Sequence, residues 1–171
     1  MKNILLLILL IPLFTNCQTE RKVVSKYPAH VGNVEFDEKI DDPNFKRCLP
    51  DGSYAYQYYN GDSSGIVYKG EKLEIIRTVE KENIQSSRDI NGYITFRFIV
   101  NCEGKSGLFR VQQMDEQYKE KYFEKKLLEQ LLSFTKNLNG WIPKEIQGRK
   151  VDYYQYLTYK IEHGKVSEIL P

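Results

Sequence analysis

The sequence has little of what catalytic and metal-binding sites are usually built from. It contains 2 histidines, 3 cysteines and 1 tryptophan among 171 residues. His30 falls in a predicted polar tether and His163 in a predicted turn, and no spacing of His, Cys, Asp or Glu residues matches a metal site. No glycine-rich phosphate loop follows a predicted strand. The sequence therefore predicts neither a metal nor another cofactor, and it predicts that the protein is not an enzyme.

An excess of charge of one sign is also missing. The chain has 25 Lys and Arg residues against 23 Asp and Glu residues, a formal net charge of +2, and the two signs are mixed along it. Proteins that bind nucleic acids usually carry a basic stripe, so we expect no nucleic-acid partner. The hydrophobic content of 41% is ordinary for a globular protein. The length suffices for one domain with its own core and some additional chain.

The chain also lacks an apolar run of the length that crosses a bilayer, which is about 20 residues. Near the start, Lys2 is followed by the eleven residues of Ile4–Phe14, an apolar run suited to a signal peptide, and then by Cys17. This layout resembles a bacterial lipoprotein signal, in which Cys17 is lipidated and becomes the first mature residue. Asn16 replaces the small residue usual before that cysteine, as in looser signals of Bacteroidetes. A simple secretory peptide cut nearby and an uncleaved anchor are the alternatives.

The lipoprotein resemblance implies that residues 1–16 are a signal peptide and that a lipid anchors the protein in the outer membrane. Residues 18–22 lack the acidic run of surface-exported Bacteroidetes lipoproteins, which favours a protein that faces the periplasm. In that oxidising compartment Cys48 and Cys102 are expected to form a disulfide. The chain-entropy model assigns so long a loop about 4 kcal/mol. Two separate buried thiols are the alternative.

Two segments precede the main domain. Residues 17–36 are polar with isolated apolar residues, which predicts a tether. Residues 37–67 are predicted to form an N-terminal extension with a tyrosine-rich strand, because Tyr54, Tyr56 and Tyr58 alternate. We expect these tyrosines to pack over the edge of the core, and an aromatic platform for a sugar or a peptide is the alternative.

The main domain, residues 68–171, shows clear periodic patterns. Large apolar residues occupy every second position from Ile94 to Val100, turn residues follow, and alternation resumes at Leu108, which predicts a β-hairpin. Apolar periodicity predicts helices over about 71–81 and 116–138, the second with Asp115 as its N-cap. Further strands are predicted over 151–161 and 166–170.

The order of these elements resembles the C-terminal domain of TonB proteins, above all its divergent Bacteroidetes forms. The matching residues are Tyr68–Lys72, Gly92–Asn101, Glu103–Gly104, Trp141–Pro143, Gly148 and Leu157–Ile161. The resemblance implies an α+β fold with a small antiparallel sheet of three to four strands, covered on one face by helices. In TonB this domain adds a short receptor segment to a sheet edge. The short tether and only 6 prolines depart from TonB transducers, so energy transduction is not expected.

The resemblance also implies a partner site, because the strand after the long helix is commonly exposed at an edge in TonB-like domains. On that strand, here Val151–Ile161, the candidate partner-binding residues are Asp152, Tyr154, Gln155, Tyr156 and Thr158. An exposed edge is either used or covered, and residues 166–170 are the candidate cover. We therefore expect a non-enzymatic, membrane-anchored protein that binds an envelope protein or peptide. A structural scaffold of the envelope, a glycan-binding protein and a thiol-dependent enzyme using Cys102 and His163 are the alternatives.

Overall fold

A computed structural model describes residues 32–50, 53–59 and 65–170. Within these ranges the chain forms two helices, α1 (Glu71–Lys81) and α2 (Lys125–Asn137), and neither has the length and apolar character that crossing a bilayer requires. The strands are β1 (Tyr56–Gln57), β2 (Gly92–Val100), β3 (Ser106–Met114), β4 (Lys144–Ile146), β5 (Arg149–Val151), β6 (Tyr153–Glu162) and β7 (Lys165–Leu170).

Five of these strands form one mixed sheet. β2 lies between β3 and β6 and is antiparallel to both, while β1 and β7 lie on the other side of β6. β7 is antiparallel to β6, but β1 is parallel to it. The α+β class and the β2–β3 hairpin are confirmed, whereas the prediction of a purely antiparallel sheet of three to four strands is wrong. The extra parallel strand is two residues long, too short to show a periodic pattern. β4 and β5 form a separate hairpin.

Both helices pack on the same face of the sheet, as predicted. On α2 the buried residues Leu127, Leu131 and Phe134 recur at helical spacing and meet the apolar face of β2 and β6. Fully buried side chains of this core include Ile75, Ile94, Phe96, Phe98, Leu127, Leu131, Leu157, Tyr159 and Ile161. Burying each large apolar side chain contributes about 1.5–3 kcal/mol. This helix-covered core is therefore the main source of stability.

The N-terminal extension crosses the opposite face of the sheet. Val34 and Ala55 pack there with Ile99, Leu108 and Tyr154 in a second, smaller core. Val34 is only 4% exposed, so the end of the segment predicted as a tether packs against the sheet. A single buried valine in a polar stretch is too sparse to form a pattern. The rest of the predicted tether, residues 17–31, lies outside the described residues.

The second helix begins later than its apolar pattern predicts, at Lys125 rather than at residue 116. Asp115 caps a turn instead, because its Oδ1 accepts hydrogen bonds from the backbone N–H groups of Gln117 and Lys119, both at 2.9 Å. The chain then returns along β3, where Lys121 N–H donates to the Gln113 carbonyl at 3.1 Å. An aspartate that caps a turn and one that caps a helix look alike in sequence.

Candidate functional site

The predicted partner-binding residues lie on β6, and β6 is not an edge strand. β2 pairs with it along one side from Tyr153 to Ile161. On the other side β1 pairs with Tyr153 and Tyr154, and β7 pairs with residues 158–162. The prediction that 151–161 forms an exposed sheet edge is therefore wrong. The alternative, in which the last strand folds back and covers this strand, describes β7, which pairs with residues 158–162.

Asp152 lies between β5 and β6 and attaches the extension to the sheet. Its carboxylate is fully buried and accepts hydrogen bonds from the N–H groups of Cys48 and Leu49, each at 2.9 Å. The Nε of Arg47 also donates to it, at 3.3 Å. The carboxylate is thus surrounded by donors of its own chain.

Tyr154 also holds the extension. Its hydroxyl donates to Asn33 Oδ1 and accepts from the N–H of Val34, both at 2.8 Å. The guanidinium carbon of Arg97 lies 4.0 Å from the centre of the Tyr154 ring, and Arg97 donates to the carbonyl of Gly32. Tyr154 therefore holds the first described residues of the extension against the sheet.

The remaining three predicted partner residues also contact neighbouring parts of the chain. Gln155 is fully buried on the helix-covered face, and its Nε2 donates to the Tyr156 carbonyl at 3.2 Å. Tyr156 is half-buried, and burial raises the pKa of its hydroxyl. Thr158 Oγ1 lies 2.9 Å from Thr95 Oγ1 across the β2–β6 pair.

The predicted disulfide between Cys48 and Cys102 is confirmed. The two Cα atoms are 5.9 Å apart, within the range for a disulfide, and the bond links the extension to the end of β2. Cys102 consequently has no free thiol to act as a nucleophile beside His163, which removes the basis for that alternative in this form. His163 Nδ1 instead lies 3.1 Å from Asp89 Oδ1.

A buried ion pair between Arg110 of β3 and Asp41 is a further attachment of the extension. Nη1 and Nη2 of Arg110 each lie 2.8 Å from one carboxylate oxygen of Asp41. Burial alone would raise the pKa of Asp41, but its hydrogen bonds with Arg110 and with the Asp37 N–H, together with the charges of Arg110 and Lys136, lower the pKa below its usual value. Asp41 is therefore charged at neutral pH.

The outer side of β3 is an open sheet edge. Among the described residues no strand pairs with it, and a single bridge between Met114 and Glu120 covers its end. The Gln113 carbonyl points away from β2, since Lys121 N–H donates to it. Peptide groups alternate in direction along an antiparallel strand, so those of Val111 also point outward. The Phe109 carbonyl already accepts a hydrogen bond from Arg110 Nη1. The open stretch thus centres on Val111.

Helix α2 runs alongside this open edge. The segment leading into the helix is joined to Gln113, whose Oε1 accepts from the N–H of Phe123 at 2.9 Å. At the other end, Lys136 Nζ lies 5.7 Å from the centre of the Phe109 ring. The half-buried Leu128 and Leu132 lie two turns and one turn before Lys136 on the same stripe. Both pack against the helix-covered core, and from this placement we infer that they border Val111, which is 38% exposed. We call the surface bounded by these three residues the β3–α2 groove.

A cavity of about 690 Å³ lies near the start of β3, at Leu108, on the face of the sheet that the extension covers. We call it the Leu108 cavity. Its lining residues are Asn33, Val34, Glu35, Phe36, Pro43, Phe45, Lys46, Arg47 and Leu108. Leu108 contributes from the bulged start of β3, where its φ is +54°. Residues of β3 therefore form the open edge, at Val111, and also line the cavity, at Leu108.

Three further features considered from the sequence are a metal site, the tyrosine-rich segment and the lipidation site. Within the described ranges, no group of three or more His, Cys, Asp or Glu side chains could hold a metal ion. Tyr58 packs edge-to-face against Tyr156, as expected for tyrosines over the core edge, whereas Tyr54 and Tyr59 are exposed. An aromatic platform for a sugar or a peptide stays a prediction. Cys17, the predicted lipidation site, lies outside the described residues.

Comparison with known proteins adds no identification: no family model, no curated protein and no solved structure matches the chain. The candidate site consequently depends on geometry alone. The sequence did not reveal the edge of β3, because a hairpin pattern does not say which of its two strands has a further neighbour. The exposed position of Val111 within Phe109–Gln113 marks the edge in the structure, but the sequence alone does not show it.

Proposed function

We propose that this protein is a non-enzymatic lipoprotein of the cell envelope that binds an extended segment of an envelope protein by adding it to the outer side of β3. A lipid on Cys17 attaches the protein to the outer membrane, with the domain facing the periplasm. The partner segment lies in the β3–α2 groove, where main-chain hydrogen bonds provide affinity and side-chain contacts provide selectivity.

The observation that carries this proposal is the outward-facing peptide group of Val111 on the side of β3 where no strand of the described residues pairs. An unpaired edge is a template for another strand. Leu128 and Leu132 of α2 are half-buried, and because α2 is linked to β3 at Gln113 and at Phe109 we infer that they lie near the edge. An added strand then covers apolar surface as well as forming hydrogen bonds. A strand that gains both contributions binds better than one that gains backbone hydrogen bonds alone, since each of these is worth only about 0.5–1.5 kcal/mol net.

The opposite edge, at β7, fits an added strand less well. The bridge between Gln85 and Lys165 covers its start. Lys165 and Glu168 are exposed charges, and the register of the β6–β7 pair shifts after Lys160. Charges and bulges are features that protect an edge against pairing. The described stretch Phe109–Gln113 of β3 has no proline, and its charged residue, Arg110, is bound to Asp41.

The resemblance to TonB C-terminal domains supports the same mode of binding, because those domains also add a strand to a sheet edge. In this chain the strand after the long helix is covered by β7, so the proposed edge is a different one.

The membrane attachment depends on the signal pattern up to Cys17, and mass spectrometry of the mature N-terminus tests it. A mature chain that begins elsewhere, or a Cys17 without acyl mass, would refute the lipoprotein assignment.

Replacing Val111 by proline tests the edge. Its N–H points away from β2, so proline there removes no hydrogen bond of the β2–β3 pair, but it removes the donor that an added strand needs. We expect crosslinked capture of envelope proteins by the Val111→Pro variant to fall about tenfold, the equivalent of about 1.4 kcal/mol. A photo-crosslinker placed at Leu132 should attach to one segment of the captured protein.

Val111→Thr is the matched control. Threonine is β-branched and similar in size and keeps the N–H, so capture should persist. Circular dichroism and urea unfolding establish that both variants remain folded. Undiminished capture by a folded Val111→Pro variant would rule out the β3 edge as the binding surface.

A further inference from the structure

The Leu108 cavity lies between two segments of the extension, and the first of them is held by the sheet. Val34 N–H donates to the Tyr154 hydroxyl, and the same hydroxyl donates to Asn33 Oδ1, both at 2.8 Å. Val34 is also buried against Leu108. This wall of the cavity is therefore attached to two strands, β6 and β3.

The second segment, Phe45–Cys48, is held more firmly. Asn101 Nδ2 donates to the Lys46 carbonyl at 2.8 Å, the disulfide secures Cys48, and Asp152 accepts its N–H. The Phe45 ring rests on Gly107, where a Cβ atom would come within 2.3 Å of the ring. Because both walls are fixed, the cavity does not need to form when a ligand arrives, which lowers the cost of binding.

The lining of the cavity combines aromatic rings with charges at its margin. Phe36 is 49% exposed, so its ring is accessible to a ligand in the cavity. Arg47 is occupied by Asp152 and by the carbonyl of Ser53. Among the described residues the exposed carboxylate of Glu35 forms no ion pair. The Lys46 ammonium donates to the Pro43 carbonyl at 3.2 Å.

We propose that the Leu108 cavity receives a tryptophan or tyrosine side chain of the segment that adds to β3, an inference that rests on the proposed function for the identity of the partner. Phe36 and Phe45 favour an aromatic ring by stacking or edge contacts. The Glu35 carboxylate accepts the ring's N–H or O–H, and the Lys46 ammonium adds an attraction to the ring face. A strand paired at Val111 reaches Leu108 within three residues, about 10 Å.

Amide derivatives of single amino acids test the cavity without the partner. We expect N-acetyl-tryptophanamide, added to the full chain in mild detergent, to shift the NMR amide signals of Val34, Phe36 and Leu108. N-acetyl-leucinamide should bind at least about tenfold more weakly. Phe36→Ala should reduce the affinity for the tryptophan amide about tenfold. Ile40→Ala, which changes another exposed apolar residue of the extension outside the lining, should leave it unchanged.

The outcomes separate this inference from the proposed function. Val111→Pro should leave binding of the tryptophan amide unchanged, because the cavity does not use the β3 edge. Equal binding of the leucine amide, or signal shifts confined to other residues, would overturn the inference while leaving strand addition standing. Shifts that appear only after residues 17–31 are deleted would show that this chain's own N-terminal segment fills the cavity, and would also overturn it.

Discussion

The helix-covered and extension-covered faces of the sheet are stabilised in different ways. On the helix-covered face, apolar residues of α1, α2, β2 and β6 form one continuous core. On the other face the buried apolar residues of the second core are Val34, Ala55, Ile99, Leu108 and Tyr154. Since burial stabilises in proportion to apolar area, at about 25 cal/mol per Å², this small core contributes much less.

Specific bonds take the place of apolar area on the extension-covered face. Asp152 binds the N–H groups of Cys48 and Leu49, Arg110 binds Asp41 and the carbonyl of Glu35, and the disulfide adds a covalent link. Hydrogen bonds to charged groups contribute about 1.5–3 kcal/mol each, more than neutral ones. The comparison teaches that a segment with few apolar residues can be attached firmly when buried charges of the sheet meet its main chain.

Asp152→Ala is expected to have the largest effect. It removes the acceptor of the Arg47 Nε and of the N–H groups of Cys48 and Leu49, and breaking a pair with a fully buried carboxylate costs about 3–5 kcal/mol. Urea unfolding measures the loss. Hydrogen exchange should show that amides of residues 45–49 lose protection first, while those of α2 keep it.

Asp152→Asn is the control, because its amide oxygen still accepts a hydrogen bond while the charge is absent. We expect Asp152→Asn to lose less free energy of unfolding than Asp152→Ala. Equal loss of protection in α2 and in the extension after Asp152→Ala would mean that the two faces unfold as one unit, which would contradict the comparison.

Leu131→Ala tests the helix-covered core. Leu131 is fully buried, and truncation of a buried leucine costs about 2–5 kcal/mol through lost burial and the cavity that remains. Val34→Ala removes less apolar surface from the smaller core and should cost about half as much. Chemical denaturation of the two variants measures how much free energy of unfolding each one loses. A larger loss for Val34→Ala than for Leu131→Ala would contradict the ranking of the two cores.

The pH dependence of the Arg110–Asp41 pair should give the smallest effect. The pKa of Asp41 is lowered in the folded protein, so its contribution is complete above the unfolded-state pKa of about 3.9 and is lost as the pH falls through the lowered value. We expect stability to decline below about pH 4. Asp41→Asn should lose stability at neutral pH and show a shallower acid decline. If the stability of the unmodified protein and that of Asp41→Asn depend on pH in the same way, the Asp41 carboxylate makes no pH-dependent contribution to stability.

Sequence patterns predicted the local elements of the helix-covered face well. The β2–β3 hairpin, helix α1, the buried stripe of α2, strand β7 and the disulfide are confirmed. Large apolar residues at a period of two or of about 3.6 produce these patterns, and burial of one face enforces them. The extension-covered face offered no such pattern, because its attachments are single polar residues such as Asp152 whose partners lie about a hundred positions away.

By itself the sequence determined which residues of β2, β6 and α2 face the core, because side-chain direction follows from the period of the local backbone. Only the tertiary structure decided which strand stands at an edge. β6 has the more apolar and aromatic sequence of the candidate edge strands, yet β1 and β7 both pair with it and leave Val111 of β3 open. The physical reason is that backbone hydrogen bonds between strands do not depend on side-chain identity, so a strand's neighbours are chosen by the packing of the whole chain.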